Sequence, residues 1–318
     1  MVSQLEYKKR IASTKSLQKI FNAQELVAAS HIYKARILAQ DSRPYVEVIA
    51  KVAWEVASYT SVKHPLTATR QELGMKSTNR VAVLCVTSDR GMAGSYSATV
   101  IRETEKLCKK LIGEGKTPVL FISGRRGRSY YQFRGHEIAA YWEGDSDAPT
   151  FERAVELGDT LLKSFLSTDE RVGTDQLQIV CTEFVNMVTQ KPHIVNMLPL
   201  SIDADISADA DNSGDVNAAS SLPKKSTTNP LYIFEPGEKQ TLDVVLSYYI
   251  YALIHECLLD AAASETASRQ RAMHTATENA KSLIEELTRK QNKARQAGIT
   301  QELTEIVSSS DALSSKVR

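Results

Sequence analysis

What this 318-residue sequence has little of narrows it first. Net charge is nearly absent: 39 Lys and Arg stand against 38 Asp and Glu, leaving +1. That balance excludes a chain-wide basic surface for nucleic acid or an acidic membrane, so any electrostatic function must be local. Cysteine is sparse, and Cys85, Cys108, Cys181 and Cys257 stand far apart. No two of them have the two- to four-residue spacing of a zinc knuckle or a redox pair, so they read as reduced packing residues. No window approaches the roughly 18 consecutive apolar residues that span a bilayer. The opening MVSQLEYKKRIASTKSLQK has no secretory apolar stretch, so the expectation is a chain that stays in the cytoplasm.

Catalytic motifs are missing too. The histidines form no HExxH, and neither His255 nor His274 has a second ligand at helical spacing. Ser, His and Asp never fall in a nucleophile-elbow context. SDRGMAGSYS (88–97) occupies the strand-to-helix position of a phosphate-binding loop. Gly91 and Gly94 do not make GxGxxG, however, and no Lys-Ser or Lys-Thr follows, so a plain turn is the better reading. The sequence therefore implies no catalytic residue, no cofactor and no metal.

Between Glu6 and Tyr59 there is no glycine and only one proline, Pro44, which predicts one long helix. Leu17, Ile20, Phe21, Val27, Ala28 and Ile32 recur at steps of three and four, a stripe that needs a partner. The segment is locally basic. From Arg80 the character changes: VAVLCV and TPVLFIS (117–123) read as buried strands, and LQIVCTEFVN as a third. Helices between them imply a small parallel sheet, since parallel neighbours need a crossover. GRRGRSYYQFRGH (124–136) joins four arginines to three aromatics and reads as a solvated segment or protein contact rather than a nucleic-acid site.

Residues 203 to 230 collapse to Asp, Ala, Ser, Asn and Thr, and are expected to form a flexible surface insertion. After LYIFEP, read as a strand, Leu242, Val245, Leu246, Tyr249, Ile250, Leu253, Ile254 and Leu258 repeat at steps of three and four. Helix formers then continue with only Gly298 interrupting, giving a helix on the order of 110 Å at 1.5 Å per residue. The fold class expected is α/β: a long antiparallel coiled coil of terminal helices around a central Rossmann-like α/β domain. Its parts are an N-terminal helix over 1–60, the α/β domain over 78–202, the insertion over 203–230, and a strand and long helix over 231–318. On these physical grounds alone a coiled-coil scaffold without nucleotide chemistry is the alternative.

The C-terminal stretch decides between them. Glu265, Ala267, Ser268, Arg269, Ala272, Met273, Ala276, Thr277 and Asn279 precede Asn292-Lys-Ala-Arg-Gln-Ala and Ile299-Thr-Gln-Glu-Leu-Thr-Glu-Ile-Val307. This closely resembles the C-terminal signature of F-type ATP synthase gamma subunits. Arg10-Ile-Ala-Ser13, Glu25-Leu-Val-Ala-Ala-Ser30, the turn Thr87-Ser-Asp-Arg-Gly91 and Phe234-Glu-Pro236 agree with the same family. The sequence departs from the family pattern at Asn22-Ala-Gln24, Met92-Ala93 and Gly298. The resemblance implies a central rotor shaft of a proton-translocating enzyme, non-catalytic itself. Its implied partners are the alpha and beta subunits, epsilon and the membrane c-ring, with one copy per complex, no nucleic acid, and a place at the cytoplasmic face of the cell membrane. It also implies that Arg295 and Gln296 contact a beta subunit, that Glu265, Arg269, Thr300 and Gln301 belong to the same contact set, and that the last turns seat in an apolar bearing.

Overall fold

The computed structural model describes residues 4–59, 64–74, 76–200 and 234–314. The elements run α1 (Gln4–Tyr59), β1 (Arg80–Val86), α2 (Tyr96–Gly113), β2 (Thr117–Ser123) and α3 (Arg125–Phe133). They continue as β3 (Ile138–Trp142), α4 (Phe151–Leu166), β4 (Gln176–Phe184), β5 (Gln190–Leu198) and α5 (Glu238–Ser314). The expected insertion lies outside the described residues, as does the first half of LYIFEP (231–233); Phe234 to Pro236 are not strand.

The sheet has the order β3-β2-β1-β4-β5. The first four strands pair in parallel, whereas β5 runs antiparallel to β4, with Leu177 opposite Leu198 and Phe184 opposite Gln190. The sheet is thus mixed rather than wholly parallel, because the short turn after β4 returns the chain directly and no crossover helix intervenes. GRRGRSYYQFRGH lies near its edge, where it holds α3 and leads into β3; most of it is exposed, as expected, and Tyr131 is its one fully buried side chain.

Alternation along β1 splits the core in two. Val81, Val83 and Cys85 face α2 and α3, packing on Val100, Leu107 and Tyr131. Ala82, Leu84 and Val86 face the other layer, with Leu157 and Leu161 of α4 and Leu246, Ile250 and Leu253 of α5. Val46, Ala53 and Trp54 of α1 close that layer. Gly158 is required there, since a Cβ would come within 2.5 Å of the Tyr251 ring.

The chain divides into two compact units, Met1–Ala28 with Gln270–Arg318, and Ala29–Arg269. In each, α1 and α5 run antiparallel. In the smaller unit Glu25 meets His274 at 2.9 Å, while Tyr7 neighbours Lys290. In the larger, Arg43 lies 4.0 Å from Asp260, and His64 Nε2 donates to Asp243.

The seams carry an unexpected pattern. In the smaller unit the inward positions of α1 are Tyr7, Ile11, Thr14, Gln18, Phe21, Glu25 and Ala28, at steps of four and three throughout. The facing positions of α5 are Met273, Thr277, Ala280, Ile284, Leu287, Gln291, Ala294 and Gly298. This is a heptad, as a left-handed coiled coil requires. Much of it is small or polar. Leu17, Ile20 and Val27, expected on the buried stripe, are instead 46%, 51% and 50% exposed.

Candidate partner-binding site

The crevice at the C-terminal edge of the sheet, between β1 and β4 where the strand order reverses, is where open α/β sheets bind ligands. On the β2 and β3 side of that edge the chain's own loops close on one another. The Asp89 carboxylate accepts backbone N–H bonds from Arg125 at 3.0 Å, Gly144 at 2.8 Å and Ser146 at 3.0 Å. An acidic side chain therefore occupies the N-terminus of α3, the position an anionic ligand would take. Gly124 permits the close approach: its φ is +101°, and a Cβ would meet the Thr87 carbonyl at 2.1 Å. The remaining cavity, bordered by Thr87, Ser146 and Leu258, holds about 10 Å³. Ligand pockets are typically hundreds of Å³, far above this volume.

Behind that crevice α5 is enclosed on all sides. Every residue from Ala261 to Arg269 is buried. The run AAASETASR suits this, because small side chains let neighbouring backbones come close. Its polar groups bond inward: Ser264 Oγ donates to the Thr182 carbonyl at 3.3 Å, and Ser268 Oγ donates to Gln190 at 3.2 Å. Glu265 is 1% exposed and accepts from Arg269 at 2.5 Å and from Ser146. Burial raises the Glu265 pKa, and the guanidinium of Arg269 opposes that rise.

The six residues singled out from sequence thus fall into two groups. Glu265 and Arg269 are buried in the larger unit, where the Arg269 guanidinium bonds Glu265 one turn before it on the same helix. Arg295, Gln296, Thr300 and Gln301 lie in the smaller unit and are all exposed. Thr300 Oγ1 donates to the Gln296 carbonyl at 2.9 Å, and Gln301 Nε2 donates to Glu305 at 3.0 Å. Both hydroxyl and amide are engaged within the helix. Arg295 and Gln296 flank the inward positions Ala294 and Gly298, and their side chains point away from the seam.

Composition missed a third feature. On α5, Ile299, Leu303 and Val307 are 51%, 58% and 59% exposed, and every residue from Gln301 to Val307 is exposed. On α1, Leu17, Ile20, Leu26 and Val27 are also half or more in the open, or close to it. Large apolar side chains thus stand on both faces of the pair: Ile11, Phe21, Met273 and Leu287 turn inward, while Leu17, Ile20, Leu26 and Leu303 stay in the open. An isolated helix pair would gain stability by covering the second set as well, since each buried large aliphatic contributes about 1.5–3 kcal/mol. Exposed apolar surface of this extent marks an interaction face.

One helix, α5, is apolar enough by composition to cross a membrane: its richest window averages 1.4 in hydropathy. Over half of that window is buried within the protein, where it forms the core under β1 and β4. Among the described residues no group of His, Cys, Asp and Glu is arranged to hold a metal ion.

Comparison with known proteins agrees with this geometry. The family model described as ATP synthase matches residues 3–313. A protein of Bifidobacterium longum called ATP synthase gamma chain is 50% identical over 316 residues, covering 99% of both chains. One of Beutenbergia cavernae with the same name is 46% identical over 311 residues, covering 98% of both. Among solved structures, a chain of the Euglena gracilis mitochondrial ATP synthase, from an assembly of OSCP, F1 and c-ring, aligns with a TM-score of 0.66. It is 15% identical and covers 98% of this chain and 94% of its own. A chain from the central stalk and c-ring of the Tetrahymena thermophila enzyme gives 0.55 at 19% identity, covering 81% and 99%.

Proposed function

This chain belongs to the ATP synthase gamma chain family, and we propose that it works as the central rotor shaft of a proton-translocating F-type ATP synthase. It is a non-catalytic subunit of that membrane-associated complex. In this reading it couples rotation of the membrane c-ring to ATP synthesis or hydrolysis in an alpha–beta hexamer. One copy sits in each complex, with epsilon beside it, at the cytoplasmic face of the cell membrane.

The observation that carries the reading is the row of large apolar side chains that the smaller unit leaves uncovered. Leu17, Ile20, Leu26, Leu303 and Val307 point outward, although the seam already holds Ile11, Phe21, Met273 and Leu287. Such a pair is built for an enclosing wall of other subunits. Its two helices differ in sequence, so each direction around the axis presents different groups. A rod of that kind contacts three equivalent sites unequally, and unequal contact shifts each site's equilibrium by the difference in interaction free energy. In this reading Arg295 and Gln296 supply directional contacts to a beta subunit, and Glu265, Arg269, Thr300 and Gln301 belong to the same contact set.

Arg295→Ala and Gln296→Ala each remove polar contacts worth on the order of 1–3 kcal/mol if desolvated in the assembly. Both side chains are exposed in the isolated chain, so its fold is expected to be unchanged. The measurement is ATP-driven proton pumping per ATP hydrolysed, in complexes that co-purify with alpha and beta subunits. A fall in that ratio is expected for each variant, deeper for the double. Unchanged pumping in all three would remove the assigned contact, and failure to co-purify with alpha and beta would remove the reading itself.

A further inference from the structure

On the face of the sheet away from α5, helices α2 and α3 lie side by side. Between them runs an open groove of about 630 Å³. Ala98, Ile101 and Tyr130 give it an apolar floor, while Arg102 and Lys109 of α2, Arg126 of α3 and Arg134 just after α3 form its rims. The one carboxylate lining it is Glu105, which lies 4.0 Å from His136. Lys109 and Arg126 have no ion pair among the described residues, and Arg134 leans on the Tyr130 ring at 5.2 Å. At the mouth Phe133 is 92% exposed, more than any other large apolar residue described.

We propose that this groove docks an acidic amphipathic helix of a partner protein. Charge complementarity supplies the sign: with Arg102 paired to Glu103 at 3.8 Å, Lys109, Arg126 and Arg134 still face the single lining carboxylate Glu105, in a chain whose overall charge is only +1. The apolar floor and Phe133 supply the other requirement, a stripe of aliphatic side chains between the acidic ones. The groove follows α2 from Ser97 to Lys109, on the order of 18 Å at 1.5 Å per residue, which matches three to four turns of helix. A small anion would leave Phe133 uncovered. A flat lipid surface would not enter between the helices.

The test uses the complete ATP synthase complex and a fluorescein-labelled helical peptide with Leu at steps of three and four and Glu elsewhere, read by anisotropy. Arg126→Glu with Arg134→Glu tests the charge, and Phe133→Ser the apolar anchor. All three side chains are exposed, so the fold is retained, which circular dichroism of the purified chain checks. Binding that weakens at least about tenfold in each variant, and with rising salt, is the expected result. Binding unaffected by the substitutions overturns the proposal. So does a complex that ignores the peptide, including one whose variants instead lose binding to phosphatidylglycerol vesicles. None of these readings depends on rotation or coupling.

Discussion

Asp260 shows how single residues set the behaviour of the larger unit. Burial lifts its pKa to about 6; Glu256 of α5 and Glu183 of β4 push in the same direction, and Arg43 of α1 opposes them. Its folded pKa is above the unfolded value, so the fold favours the protonated acid. The contribution of this group to stability is therefore greatest at low pH and is lost as pH rises through about 6, where the buried group must ionise. Asp260→Asn is expected to raise the melting temperature near about pH 8 by a few degrees, for a gain on the order of 1–2 kcal/mol. Near about pH 4.5 that gain should be mostly gone. Thermal unfolding of the purified chain at both values checks it, and a variant less stable than the parent at the higher pH would contradict it.

Among the elements, the strands buried on both faces were legible, and the others were not. VAVLCV and TPVLFIS are β-branched and apolar enough to be read directly. QKPHIVNML was not, because an edge strand tolerates Lys191, Pro192 and Asn196. The helix RRGRSYYQF was hidden by its glycine, yet Gly127 is needed: a Cβ there would meet Thr87 Oγ1 at 2.7 Å. For α1 the helix was clear and its buried face was not, since hydrophobicity marks the face turned to other subunits. The same logic hid the inward position of Glu265 and Arg269, two charged residues whose sequence context gives no sign that they are buried. Leu246 and Leu253, by contrast, are 0% and 4% exposed, as their spacing implies. Replacing both with Asp puts two charges in the core shared with Val46 and Trp54, at a cost expected to exceed several kcal/mol. Most helix stability here comes from packing, so the untouched α1 segment between residues 29 and 59 should become open to protease. Cut sites mapped by mass spectrometry read this out, and continued protection of that segment would mean that α1 does not depend on α5.

At the scale of the whole molecule, the fold declines one role and is shaped for another. The sheet has the architecture of a nucleotide-binding domain, and Asp89 takes the anion's place at the N-terminus of α3. What remains is mechanical: a buried stretch of α5 that holds the helix to the sheet, and a helix pair that offers its large side chains to a surrounding wall. Rotation tests this most directly. With the alpha–beta hexamer fixed to glass, a bead is attached through biotin on Glu170→Cys, whose parent side chain is 62% exposed. Addition of ATP should turn the bead continuously in one direction, and hydrolysis should slow under load. Steady ATP hydrolysis beside a bead that only jitters in place would contradict the account.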